Sequence, residues 1–200
     1  MAREMTLALA YLLGSIPFAL LVVKAAGRGD VRTVGSGNVG ATNAMRAAGW
    51  KWALLVALLD VGKGLAAVLL MRQVTANPAW ITAAGALAVV GHCFPVWLKF
   101  SGGKGVATAG GVFFTLAWLP TLVVAGVWIV ILALTRIVSA SSVVAAASFP
   151  VGYYLIARPS WPELACAVLV ALVIIWRHRP NLGRLARGEE PRLGAKGKRG

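Results

Sequence analysis

The sequence predicts an all-α integral membrane protein, with seven transmembrane helices and polar loops on the cytoplasmic side. Three observations carry that prediction. The 200 residues are 59% hydrophobic and 13% charged, with mean hydropathy +0.79, far from the composition of a soluble domain. The apolar residues fall in long, nearly charge-free runs of spanning length. The cations behind the net charge of +14 collect in the connections and the tail, as they do in cytoplasmic loops. Residues 1–200 therefore read as one membrane domain, with roughly 188–200 a basic, partly disordered tail. Nucleic acid is not an expected partner, because no aromatic–basic interleaving or recognition motif accompanies the charge.

The first span covers Met5–Ala26, a run long for the apolar part of a cleaved signal peptide, with Glu4 offsetting Arg3. Pro17 predicts a kink within it that packing against neighbouring helices accommodates. Lys24 to Lys51 frame the first polar loop. The second span, about Trp52–Met71, carries Asp60 and Lys63 on one helical face, where they partly neutralise each other. Two readings of that pair stand side by side: a functional site inside the membrane and an ion pair that fixes packing.

After Arg72–Pro78, the third span runs Trp80–Leu98, and His92 near its end reads more as a packed or helix-end histidine than as a catalyst. Val106–Thr135 as a single helix would be about 45 Å long, beyond the hydrocarbon core, with Pro120 in its middle. Splitting it at Trp118-Leu119-Pro120 gives a short fourth span and a fifth. Ser139–Ser142 precede a sixth at about Val143–Ala157, and the turn Arg158–Pro162 leads to the seventh, Glu163–Trp176. Cys93 and Cys166 then lie near opposite membrane faces, so no disulfide is expected, and they show no metal-ligand pairing.

Positive charge tests the count. With seven spans, Lys24, Arg28, Arg32, Arg46, Lys51, Lys99, Lys104, Arg136 and the eight cations from Arg177 to Arg199 share one side, sixteen of twenty. That asymmetry puts the N-terminus outside and the tail in the cytoplasm. Six spans would break the shared side.

The polar segments then meet on one face. Gly35-Ser36-Gly37-Asn38-Val39-Gly40-Ala41-Thr42-Asn43, with Arg46 behind it, reads either as a flexible turn or as an anion cradle. In the second reading the glycines admit close approach to backbone N–H groups, while Ser36, Asn38, Thr42 and Asn43 add directional hydrogen bonds and Arg46 a planar fork. Gly102-Gly103-Lys104-Gly105 with Thr108 resembles a Walker A loop only loosely, since Gly105 stands where Ser or Thr belongs and membrane helices flank it. A lysine on a glycine turn at a helix start still suits an anion. Carboxylates are almost absent from this face, so no metal and no cofactor is expected. No Gly-x-Ser-x-Gly elbow exists for a serine hydrolase.

Gly35–Asn43 with Arg46, Gly91–Thr108, Ser139–Ser142 and Arg177–Arg184, in this order, resemble the motifs of the bacterial acyl-phosphate:glycerol-3-phosphate acyltransferase family. The resemblance implies an inner-membrane enzyme of phospholipid synthesis. Such an enzyme moves a fatty acyl group from acyl phosphate to the 1-hydroxyl of sn-glycerol 3-phosphate, giving lysophosphatidic acid and phosphate. It places Ser36, Arg46, Lys104, Ser142, His178 and Asn181 on binding or catalytic positions, with Ser36, Lys104, His178 and Asn181 as the catalytic candidates. Arg46 and Asn181 are then expected to hold glycerol phosphate, Lys104 the acyl-phosphate headgroup, and the helices the acyl chain. Pro180, Leu182 and Gly183 depart from the commoner residues of the tail motif. Two proton acceptors are open, the imidazole of His178 and an oxygen of the acyl phosphate. A transporter of phosphorylated metabolites is the alternative class, though no inverted repeat or polar stripe supports it.

Overall fold

The computed structural model describes residues 1–194, and among them the chain is helical with no strand. Helices α1 (Ala2–Ser15) and α2 (Phe18–Ala25) form the first segment, bent by 42° at Ile16-Pro17. Pro17 cannot continue the hydrogen-bond ladder of α1, so the predicted kink is realised as a break. The loop that follows is not all loop: α3 (Ala41–Ala48) forms inside it, immediately before α4 (Trp50–Val74). Helix α5 (Pro78–Cys93) starts at Asn77, whose side chain accepts from the Ala79 amide at 2.9 Å.

The long apolar run divides into α6 (Val106–Leu116) and α7 (Trp118–Thr135). The division falls at Ala117, ahead of the predicted Trp118-Leu119-Pro120. Pro120 instead occupies the first turn of α7, where its missing N–H has no intrahelical partner to lose. Helix α8 (Val138–Ala157) accommodates Pro150, and α9 (Trp161–Arg177) starts at a Ser160/Glu163 capping box. A 56° bend at His178 leads into α10 (Arg179–Ala186). The tail thus begins as a helix, while residues 195–200, the end of the predicted basic tail, lie outside the described residues.

Four segments are long and apolar enough to cross a membrane, Trp50–Val74, Pro78–Leu98, Trp118–Thr135 and Val138–Ala157, and counting each bent pair as one span raises this to six. Helix α6 is apolar but has only 11 residues. The protein is an all-helical, multi-pass membrane protein. Helix α7 turns most of its surface outward, with Leu122, Val123, Ile129, Val130 and Leu134 exposed as lipid-facing residues would be.

Helix α1 packs along α5, α4 along α6, and α7 along α8. Small residues dominate the seams, among them Ala67, Ala84, Ala88 and Ala109. Between α4 and α6 the backbones touch. A Cβ at Gly64 would lie 2.1 Å from the Thr108 carbonyl oxygen, and one at Gly111 would lie 1.9 Å from that of Val61. Where the surroundings are as apolar as the side chains, such close approach is what holds helices together.

Candidate functional site

The first polar loop is organised by Asn43. Its Nδ2 donates to the carbonyls of Val31 at 2.7 Å and Val34 at 3.0 Å, and its Oδ1 accepts from the Ser36 amide at 3.1 Å. Buried at 1% exposure, this amide holds the loop onto the first turn of α3. Ser36, Gly37 and Arg46 are left exposed at the rim, with Asn38, Gly40 and Thr42 half-buried behind them.

The second loop is anchored from outside, because its glycines have no side chains to anchor. The amides of Gly102 and Gly103 donate to the carbonyls of Cys93 at 3.1 Å and His92 at 3.0 Å. Their own carbonyls accept from Arg177, at 2.6 Å to Gly102 and 3.0 Å to Gly103. Gly105 then takes φ +86°, a conformation that favours glycine, and α6 starts at the next residue. Val39 of the first loop lines a small cavity of about 10 Å³ together with Gly102 and Gly103, so the two loops adjoin.

Lys104 reaches across to the third segment: its Nζ donates to Asn181 Oδ1 at 2.6 Å. Asn181, buried where α10 starts, donates in turn to Glu190 Oε1. Glu190 also accepts from Ser139 at 2.7 Å and from Arg184 at 2.7 Å. One carboxylate thereby ties α8, α10 and the tail together. Burial raises the Glu190 carboxyl, but the bonds from Asn181, Ser139 and Arg184 outweigh it and hold the group below its ordinary range.

Lys104 has no carboxylate of its own. Burial lowers its ammonium to about 8, Glu190 opposes, and the charges of Arg184, Arg46 and Arg177 push the same way as burial. The cluster is therefore short of negative charge, which an anionic ligand would supply.

His178 lies just past the end of α9, 3% exposed. Its Nδ1 is 2.8 Å from the Ile174 carbonyl. A carbonyl only accepts, so Nδ1 carries the proton and Nε2 the lone pair. Burial first, then the charge of Lys104, lowers the imidazole to about 4, and it is neutral at physiological pH.

Beneath the loops, helices α6 to α9 enclose an apolar cavity of about 130 Å³ lined by residues such as Val106, Phe113, Val124, Ala146 and Ile174. Its lining begins two residues after Lys104. Ser142 belongs to this cavity, its hydroxyl donating to the Val138 carbonyl at 2.8 Å and accepting from Trp128 at 3.2 Å. Thr108 is fully buried in α6, its hydroxyl without a partner among the described residues.

Of the candidates, Arg46, Gly103, Lys104, His178 and Asn181 thus converge. Asn43 is committed to its own loop, Ser142 to the cavity and Thr108 to the interior. Sequence reasoning missed Glu190 and Arg177 as organisers. Their signal was present, since Asp30, Glu189 and Glu190 are the only acids on that face outside the spans and Arg177 opens the tail motif.

Comparison with known proteins shows which family the chain resembles over its length. The family model described as glycerol-3-phosphate acyltransferase matches residues 5–188. A glycerol-3-phosphate acyltransferase of Erythrobacter litoralis is 50% identical over 189 residues, 93% of this chain and 92% of the relative. One from Caulobacter vibrioides is 45% identical over 187 residues, 93% and 85% of the two. Among solved structures, PlsY, an integral membrane glycerol 3-phosphate acyltransferase, is similar in two forms. Its glycerol 3-phosphate form has a TM-score of 0.92 at 39% identity, covering 97% of this chain and 96% of PlsY. Its lysophosphatidic acid form has a TM-score of 0.90 at 38% identity, with the same coverage.

Proposed function

The chain belongs to the glycerol-3-phosphate acyltransferase family, and from that premise we propose how its residues carry the reaction. It is a membrane-embedded glycerol-3-phosphate acyltransferase. The donor in this reading is acyl phosphate, the acceptor the 1-hydroxyl of sn-glycerol 3-phosphate, and the products lysophosphatidic acid and phosphate. The transport alternative finds no support, since the similar proteins are acyltransferases.

The observation that carries this reading is the Lys104–Asn181 contact. It joins two anion-seeking segments at 2.6 Å directly above an apolar cavity that starts at Val106. A molecule with a phosphate head and an acyl tail matches that succession of charge and grease. Lys104 and the loop amides would hold the acyl-phosphate headgroup, and Arg46 with Asn181 the glycerol phosphate. The tail would run into the cavity past Ser142, and Ser36 would act at the rim of the first loop. Holding two anions together and aligning the hydroxyl on the acyl carbon is the main task, because the donor is already activated.

In the transfer the hydroxyl oxygen forms the ester bond while the acyl carbon–oxygen bond to phosphate breaks. The hydroxyl proton goes to the departing phosphate. A neutral imidazole lowered to about 4 is a poor proton acceptor, which supports the substrate's own oxygen in that role. His178 Nε2 is left to orient a hydroxyl. The chain would cross the bacterial inner membrane seven times, α6 being the short span, with the N-terminus outside and the tail in the cytoplasm.

Purified protein in lipid, given palmitoyl phosphate and labelled glycerol 3-phosphate without a gradient and with a chelator present, is expected to form labelled lysophosphatidic acid. Turnover with acyl-coenzyme A alone would remove acyl phosphate as donor.

A further inference from the structure

The intramembrane pair is part of a longer chain of contacts. Lys63 Nζ sits 2.8 Å from Asp60 Oδ1, with side chains 1% and 3% exposed, and a pair one helical turn apart needs no third group to neutralise itself. Yet Lys63 also donates to the Ile16 carbonyl at the α1/α2 break, at 3.0 Å. His92, on the last turn of α5, places Nδ1 3.4 Å from the same Asp60 oxygen.

The opposite edge of the His92 ring abuts the glycine loop. A Cβ at Gly103 would lie 2.0 Å from Nε2 and 2.7 Å from Cε1. The imidazole is thus the floor on which the Gly103 Cα rests. Its other nitrogen faces Asp60 Oδ1, a buried oxygen that, its ion pair with Lys63 aside, has no hydrogen-bond partner among the described residues. The two loop peptides that precede Lys104 are gripped by α5 carbonyls on one side and by Arg177 on the other.

We propose that Asp60 and His92 are positioning residues for acyl transfer: through the imidazole under Gly103 they fix the loop conformation that aims Lys104 at its anion. They touch no substrate. They act across about one residue's width, where a displacement of about 1 Å costs on the order of 100-fold in rate. The inference rests on Lys104 binding an anionic substrate, as set out above.

The test uses the full-length protein in lipid, with acyl phosphate and glycerol 3-phosphate as substrates. His92→Phe keeps a flat ring under Gly103 but removes the nitrogen that faces Asp60. The expected result is a loss of about tenfold in kcat/KM, chiefly in KM, with melting shifted by no more than a few degrees. In a Lys104→Met background the same change should have no further effect, because both act on one interaction.

Wild-type kcat/KM in His92→Phe while Lys104→Met is crippled would overturn the inference and leave the site standing. Equal losses in both backgrounds would reduce His92 to packing and overturn it too. Near-normal Lys104→Met would overturn the reading of the site, and this inference with it. Should His92→Phe fail to fold, His92→Asn keeps a donor toward Asp60 and withdraws the ring. The same non-additive loss then supports the inference, and an additive loss or none overturns it.

Discussion

Two lysines are drawn from bulk water in this protein, Lys63 fully and Lys104 in part, and they are held in opposite ways. Lys63 meets a carboxylate at 2.8 Å and a carbonyl at 3.0 Å within the spans. Its charge is answered by the protein. Lys104 meets only a neutral amide oxygen, at 2.6 Å, while the nearby carboxylate of Glu190 is taken up by Asn181, Ser139 and Arg184. In the proposed function its charge is answered by an anionic substrate. A buried cation with its counter-ion builds architecture, and a half-buried one without it is a candidate for binding a ligand.

Removing either lysine should therefore give contrasting signatures. Lys63→Met strands Asp60 without its cation in the spans and is expected to cost about 3–5 kcal/mol of stability, read as loss of folded protein by thermal melting. Stability within about 1 kcal/mol of the parent would erase the contrast. Lys104→Met relieves a repelled charge, so the protein should melt no lower, yet kcat/KM should fall on the order of 100-fold, about 3 kcal/mol.

Asn43→Ala sharpens the distinction between residues that build the loops and those that use them. It removes three hydrogen bonds to loop backbone and should cost about 2 kcal/mol, with KM for glycerol 3-phosphate rising as the loop loosens. A KM effect with unchanged stability would return Asn43 to the substrate-binding set.

The pH profile is the gentlest probe. Lys104 is lowered to about 8 from an ordinary value of 10.5, so it sheds its proton in the folded state between those limits while an unfolded chain keeps it. Because the unfolded state binds more protons there, this group makes folding more favourable as pH rises through that window. Activity should move the other way: kcat/KM is expected to fall about tenfold per pH unit above 8. Lys104→Arg should push that decline beyond the measurable range.

Much of this could be read from residues alone, where local chemistry decides. Pro17 predicted the first break, the cation distribution gathered the loops, and the motifs carried the family. What escaped has a common cause in tertiary geometry. Helices α3 and α10 are short and polar on one side, so they look like loop until α4 and α8 provide surfaces to lie on. Thr108 and Ser142 sit beside polar segments in sequence, but helix rotation turns them to the interior and to the apolar cavity. Asp60 and Lys63 were visible as a pair, since a helical turn sets their spacing. His92 is on another helix, and no periodicity announces it. The place of Pro120 was misjudged for a simpler reason: a proline starts a helix as readily as it ends one.

The backbone contacts of Gly64 and Gly111 reach further than packing. They lock α6 against α4 at two points one turn apart, and a helix so locked cannot slide like a piston. Bilayers differ in thickness, and helices of unequal length normally tilt to compensate. Here α6 carries Lys104 at its head, so its height is tied to the long α4 and not to the lipid around it. Tilting would then be left to segments such as α7, and the Lys104 loop would keep its height relative to α4 as bilayer thickness changes.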